Sequence, residues 1–302
     1  MRAIVLTAYG EVDKLEIRDM PDPKAGPNEI KVRMAGASIN PVDWKLRSGA
    51  LKAFMPLELP AILGRDVSGE VVEVGPGVSA FKIGARVMGL VNGGYAELVV
   101  AATDAWAEVP AKMDLVDAAA LPLAVLTGAQ LVEEAVKPRE GDRVLITGAT
   151  GSVGRAAVFA AKARGAKVWA GVRAKHKADA AKLGADGVVA LDDDAEISKL
   201  PQLDSVADTV GGDTIKKLLG RVKPGGTIGS VVGEPAGAKE RGLVVHAMLA
   251  HADAKRLAEF GRAVVEGKLV IPIAKKLPLS EAREAQKLAE TKSPGGKVIL
   301  TG

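Results

Sequence analysis

Apolar and polar positions along this chain follow two different periods, and the change of period divides it. Over the first third, short runs alternate apolar and polar residues at the two-residue spacing of half-buried strands. These are Ile30-Lys31-Val32-Arg33-Met34, Val67 to Val74, Arg86-Val87-Met88-Gly89 and Ala96 to Val100. Turn signals such as Pro21-Asp22-Pro23 and Gly75-Pro76-Gly77 separate them, and Met1 to Gly10 already reads as a strand. From Asp117 the pattern is helical, passing through Ala118 to Leu121 and Pro122 into a helix over Leu126 to Val136, which Pro138 to Asp142 stops. Strands at Val144–Thr147, Val168–Val172, Val188–Ala190, Ser205–Asp208 and Thr227–Val232 then alternate with helices over 152–164, 175–183 and 213–219. That alternation predicts parallel strands joined by right-handed crossovers, a doubly wound sheet. A helix over 253–266, the apolar segment Leu269 to Ile273, a helix over 280–290 and a closing strand Gly296 to Leu300 break the alternation, and are expected to return to the first domain. The chain thus reads as an α/β protein with a β-rich domain at 1–118, a doubly wound domain at 119–262 and a C-terminal return at 263–302.

The doubly wound part carries a chemical signature. Val144 to Thr147 runs into Gly148-Ala149-Thr150-Gly151-Ser152-Val153-Gly154, and an alanine-rich helix follows. A strand, a glycine-rich turn and a helix N-terminus form the Rossmann site for a dinucleotide pyrophosphate, because backbone N–H groups and the helix dipole converge there. Against the usual Gly-x-Gly-x-x-Gly, the chain aligns as Ala149-x-Gly151-x-x-Gly154, with alanine tolerated at the first position if the turn relaxes. Thr150, Gly151, Ser152, Val153 and Gly154 of this turn, and Gly171 near the end of the second strand, are expected to bind the cofactor. About 20 residues past the glycines, an NAD site places a carboxylate on the ribose 2′-hydroxyl. Here the window is Gly171-Val172-Arg173-Ala174-Lys175-His176-Lys177, without a carboxylate before Asp179. Arg173 and Lys177 are placed to pair with a 2′-phosphate, which predicts NADPH over NADH; Lys175 and His176 read as a solvated face.

Composition narrows the setting. The 302 residues leave room for two domains, and 48% hydrophobic with 26% charged residues are those of a globular protein. Cysteine is absent, which excludes disulfides and thiol catalysis, and nowhere do 18 apolar residues run together. The N-terminal apolar run is too short for a signal-peptide core, so a soluble cytoplasmic protein is expected. The net charge of +4 comes without a basic block and with only 3% aromatic residues, so nucleic acid is not the expected partner.

Several motifs in order resemble one superfamily along essentially the whole chain. They are Ala35-Gly36-Ala37-Ser38-Ile39-Asn40-Pro41-Val42-Asp43-Trp44-Lys45, Leu63 to Gly75, Gly84-Ala85-Arg86-Val87, Gly94-Tyr95-Ala96-Glu97, Asp204 to Gly212 and Gly296-Lys297-Val298-Ile299-Leu300. The chain resembles the medium-chain dehydrogenase/reductase superfamily, and within it the zinc-independent quinone oxidoreductase branch that includes zeta-crystallin. The resemblance implies a chaperonin-10-like catalytic domain beside the Rossmann domain, and a substrate cleft at the Asn40-Pro41 turn. The superfamily's catalytic zinc positions match Asn40, Arg65 and Leu123, of which Arg65 and Leu123 cannot hold Zn²⁺. The three histidines, His176, His246 and His251, all lie in the nucleotide-binding half.

A metal-free cleft suits acceptors that take hydride readily: quinones first, then alkenes conjugated to a carbonyl. Asn40 is expected to bond the acceptor oxygen or the nicotinamide ribose, or else to satisfy its own turn. Asp43 is expected to relay a proton, or to pair with Arg65 or a local amide. By analogy Thr127, at the start of its helix, Val210, Val232, Gly233 and Lys297 contact the cofactor. Enoyl-thioester reductases of the superfamily carry a tyrosine soon after the Asn-Pro segment, and Arg47 to Lys52 has none; Tyr9 and Tyr95 are the only two. A non-catalytic NADPH-binding protein is the alternative of a different class. Relatives are commonly dimers joined at the edge of the nucleotide sheet; Leu243 to Leu249 is apolar enough to lie at such an edge, and a core strand would read the same way.

Overall fold

The alternating runs of the first third become strands with one buried and one polar face, as the two-residue period requires. In chain order these are β1 (Arg2–Leu6), β2 (Leu15–Asp19), β3 (Glu29–Ser38), then helix α1 (Pro41–Ser48), and β4 (Ala61–Ile62), β5 (Asp66–Val74), β6 (Arg86–Leu90), β7 (Leu98–Ala102) and β8 (Trp106–Glu108). On β3, Ile30, Val32 and Met34 are buried while Arg33 between them is exposed. Helix α2 (Pro122–Gln130) continues as a π turn, Leu131–Val136. The alternating region follows: β9 (Arg143–Thr147), α3 (Ser152–Ala163), β10 (Lys167–Val172), α4 (Lys177–Ala180), β11 (Gly187–Ala190), α5 (Asp194–Ser198), β12 (Leu203–Asp208), α6 (Gly212–Leu218), β13 (Val222–Ser230) and β14 (Val244–Ala247). The chain closes with α7 (Ala254–Val265), β15 (Ile273–Pro278), α8 (Ala282–Lys292) and β16 (Lys297–Thr301). This computed structural model describes residues 1–292 and 294–302.

The chain forms two units. The first contains Met1–Leu123 together with Ala252–Gly302, and the second Ala124–His251. In the first, a seven-stranded sheet has the order β15-β16-β3-β5-β6-β8 with β7 on β3, and β2-β1-β4 form a small separate sheet. All pairings are antiparallel except that of β15 with β16. Leu6, Leu15, Ile30, Val67, Tyr95 and Trp106 fill the core, each large apolar side chain contributing roughly 1.5–3 kcal/mol on burial. In the second, six parallel strands run β11-β10-β9-β12-β13-β14, so the chain reverses direction across the sheet between β9 and β12. Val144, Leu145 and Ile146 of β9 are fully buried, as a strand covered on both faces requires.

Several expectations are corrected. The units divide at 123/124 and 251/252, so α7 groups with the first unit rather than with a nucleotide domain ending at 262. Its buried face carries Leu257, Phe260 and Gly261, and a Cβ on Gly261 would lie 2.8 Å from Met88 Cε and 3.3 Å from Pro110. The Asn40–Lys45 turn is the start of helix α1, with Pro41 at its first position and Gly49 as a left-handed cap at φ +82°. After the apolar segment Leu269 to Ile273, strand β15 starts at Ile273 and carries the exposed Lys275 and Lys276 at the sheet edge, a strand the sequence reading did not assign. The helix expected over 175–183 is α4 with a 3₁₀ turn at each end. The helical run 117–136 is long and apolar enough to cross a membrane, and 83% of its most apolar window is buried, as in a core helix.

Candidate active site

The reversal point of the parallel sheet is where β9 ends, and the turn there is built from glycine. Gly148 takes φ +62°, which favours glycine, and its carbonyl accepts Gly151 N–H at 2.9 Å. The tight first turn therefore falls on Gly148, one residue before the alanine that was aligned with it. A Cβ on Gly154 would lie 2.2 Å from Gly148 O, so only glycine lets α3 approach this closely. Gly151 is the N-cap of α3 and has no side chain to satisfy the first-turn N–H groups. Exposed donors at the positive end of a 12-residue helix fit a dinucleotide diphosphate. Thr150, Ser152 and Val153 line the same turn, all half-buried.

The other strand ends complete this edge. Val210 and Val232, just past β12 and β13, are 48% and 40% exposed, an apolar pair left open where the sheet ends. Gly233 follows at φ +106°. Beneath them, Asp208 Oδ1 accepts Thr147 Oγ1 at 2.8 Å, Val210 N–H at 3.1 Å and Gly211 N–H at 3.0 Å, while Oδ2 accepts Ser230 Oγ at 3.2 Å. Thr147, Asp208 and Ser230 are the last residues of three neighbouring strands, and they lock the crevice floor. The sequence reading missed this network, although each is a polar residue closing an otherwise apolar run.

At the end of β10, Arg173 is exposed, and its guanidinium makes no ion pair among the described residues. Lys177 is engaged: its Nζ lies 2.6 Å from Glu196 Oε1. Arg155, on the first turn of α3, bonds Thr150 O at 2.9 Å and pairs with Asp179. Thr127 is nearly buried in the middle of α2, not at its start.

In the first unit, Asn40, Asp43 and Lys297 come together with two residues that sequence reasoning did not single out, Ser38 and Asp66. Ser38 ends β3, Asp66 begins β5 directly opposite it, and Lys297 begins β16. Lys297 Nζ donates to Asn40 Oδ1 at 2.6 Å, Ile39 O at 3.2 Å and Asp66 Oδ2 at 3.3 Å. Asn40 Nδ2 donates to Asp66 Oδ2 at 2.8 Å and Ser38 O at 3.2 Å. Ser38 Oγ and Leu123 N–H complete Asp66, at 2.5 and 2.6 Å. Both amide protons of Asn40 are thereby engaged, which corrects its expected role as a donor to an acceptor oxygen; what remains is the second lone pair of Oδ1.

Asp43 is fully buried, and Arg65 is not its partner. Its Oδ2 accepts Asn40 N–H at 2.7 Å and Tyr95 O–H at 2.6 Å, and Oδ1 has no partner among the described residues. Burial pushes the Asp43 carboxyl up to about 7, against the opposing pull of those two donors. Burial, and then the adjacent Asp43, hold the Tyr95 hydroxyl well above its usual range, so Tyr95 stays a donor. Tyr9 is also engaged, its hydroxyl accepting Leu57 N–H at 2.8 Å.

A largely antiparallel unit and a doubly wound parallel unit with a glycine-rich turn at its reversal point form the two-domain architecture found in nucleotide-dependent dehydrogenases. The family model of the alcohol dehydrogenase GroES-like domain matches residues 26–111, and that of zinc-binding dehydrogenases matches residues 183–300. The solved structure of the quinone oxidoreductase from Coxiella burnetii is 32% identical, with a TM-score of 0.89 over 100% of this chain and 99% of that one. The chloroplast envelope quinone oxidoreductase homolog of Arabidopsis thaliana is 38% identical over 199 residues, which cover 63% of this chain and 60% of the relative. The match thus spans about three-fifths of that curated relative. An acryloyl-coenzyme A reductase of Metallosphaera sedula is 28% identical over the whole of both chains. The chain belongs to the quinone oxidoreductase branch of the medium-chain dehydrogenase/reductase superfamily.

Proposed function

We propose that this protein is an NADPH-dependent reductase of quinones that works without zinc. The observation that carries the reading is the Gly148–Gly154 turn at the reversal point of the parallel sheet, opening on an uncapped helix N-terminus. In that reading the turn holds the diphosphate, Arg173 pairs with the 2′-phosphate, and Val210 and Val232 form an apolar bed for the nicotinamide end. When bound, the cofactor supplies hydride to the acceptor. Asn40, fixed by Lys297 and Asp66, offers only its carbonyl oxygen, so it orients a hydroxyl rather than polarising a carbonyl. Asp43 is sealed from solvent and acts here as a positioning group, holding the Asn40 backbone and Tyr95.

The donor set does not fit zinc. Of the three positions that match metal ligands, Arg65 is cationic and Leu123 apolar, and the Asn40 carbonyl already accepts the ammonium of Lys297. No step is assigned to a metal. Reduction of an alkene conjugated to a carbonyl is the second reading, supported by the full-length similarity to the acryloyl-coenzyme A reductase. Assembly as a dimer is supported by β14, an outer strand of the parallel sheet that pairs with β13 on one side and with no other strand among the described residues. Val244 is 45% exposed on it and Leu249 just beyond is 70% exposed.

The test is steady-state oxidation of NADPH and NADH, in parallel, against small ortho- and para-quinones and one simple enone, with and without a chelator. NADPH-selective, chelator-insensitive quinone turnover is expected. Turnover with the enone alone would favour the second reading, and tight NADPH binding without turnover would point to a non-catalytic protein.

A further inference from the structure

The carboxyl edge of β10 and β11 holds two basic side chains in different states. Strands β10 and β11 are parallel neighbours, and Val172 stands beside Ala190. Arg173 follows Val172 directly and is exposed and unpaired among the described residues. The Glu196 carboxylate is anchored at the same edge. Its Oε2 accepts Ala190 N–H at 2.8 Å, and its Oε1 holds Lys177 Nζ at 2.6 Å. Lys177 therefore reaches the neighbourhood of Arg173 with its charge already matched.

The other carboxylates nearby are engaged. Asp192 Oδ1 accepts the N–H of Ala174, the residue after Arg173, at 2.8 Å. Asp193 caps α5, and Asp194 pairs with Lys217. Lys177 first, and then Ala190 N–H, hold the Glu196 carboxyl below the usual carboxylate range, so it is charged at neutral pH. A dianionic ligand arriving here meets one free guanidinium and one ammonium that must leave a carboxylate to respond.

We propose that Glu196 is a specificity-determining residue that holds Lys177 in reserve, so that the preference for the 2′-phosphorylated dinucleotide rests on Arg173 alone. The inference depends on the coenzyme reading above. Glu196→Gln isolates it, because a glutamine carbonyl still accepts Ala190 N–H while its amide offers no negative charge to Lys177. The freed ammonium can then pair with the phosphate.

The experiment is a fluorescence titration of NADPH and NADH, without acceptor, for the wild type, E196Q, K177M, E196Q/K177M and R173A. E196Q should tighten NADPH by roughly three- to tenfold and leave NADH within twofold. K177M alone should change NADPH by less than twofold, and in the E196Q background it should abolish the gain, a coupling only the released lysine explains. Unchanged or weaker NADPH binding by E196Q would overturn the proposal. A loss above fivefold in K177M alone would also overturn it, and that readout does not need E196Q to fold. R173A separates the two levels: loss of NADPH binding alone, with E196Q silent, sinks only this inference. A wild type that binds both dinucleotides equally, with R173A silent, sinks the coenzyme reading itself.

Discussion

The Asp43 carboxyl serves two ends at once, capping the start of α1 and anchoring Tyr95, and its other oxygen is buried without a partner among the described residues. Its protonated form is favoured in the folded state up to about pH 7, whereas in the unfolded chain it ionises near pH 4. The folded state therefore binds more protons between those values, and stability from this group falls as pH rises through that window. Asp43→Asn keeps an acceptor for Asn40 N–H and Tyr95 O–H but cannot ionise. Relative to the wild type, D43N should gain on the order of 4 kcal/mol in unfolding free energy between pH 4 and pH 8, reaching a plateau above pH 7. Urea unfolding at pH 4.5, 6 and 8 measures the gap, and parallel pH curves for the two proteins would defeat the assignment. The sequence named Asp43 as a site residue, but its burial is a tertiary fact. Nothing in Asn40-Pro41-Val42-Asp43 says that Tyr95, more than 50 residues on, closes over it.

At the level of strands, both polar clusters obey one rule. Thr147, Asp208 and Ser230 end β9, β12 and β13, and Ser38, Asp66 and Lys297 stand at the ends of β3, β5 and β16. Each is the polar terminus of a buried strand, and a sheet brings such termini together without regard to their separation in sequence. The periodicity made the strands legible, along with the glycine turn. It does not make the neighbours legible: nothing around Gly296-Lys297-Val298 says that the Lys297 ammonium bonds Asn40 and Asp66. Breaking this buried pair with Lys297→Met should cost about 3–5 kcal/mol, because it strands the Asp66 charge. Adding Asp66→Asn should recover more than half of that loss, which denaturant melts of the single and double variants will report. Edge strand β14 gives a separate prediction. Val244→Lys places charge on the exposed outer strand, and sedimentation should show a shift to monomer without loss of thermal stability.

For the molecule as a whole, the sequence located the two kinds of sheet and their order along the chain, but placed the division between them too early and the return too late. Composition marks where strands give way to helices, whereas a unit boundary is set by packing: α7 packs on β8 and brings Gly261 against Met88 and Pro110. Charge acts at this scale too. With a net charge of +4 and an exposed Arg173, NADPH binding should weaken more steeply with added salt than NADH binding. Titrations at 20 and 300 mM sodium chloride test this, and equal slopes would argue against a 2′-phosphate contact.

Strand β16 lies between β15 and β3 in the seven-stranded sheet, although it is formed by the last residues described. During synthesis the first unit remains an open sheet, its inner strand missing, while the entire second unit leaves the ribosome and can already close upon itself. Residues 297–301 are then the keystone of that sheet. Without them β15 would be separated from β3, and the polar cluster would lose Lys297.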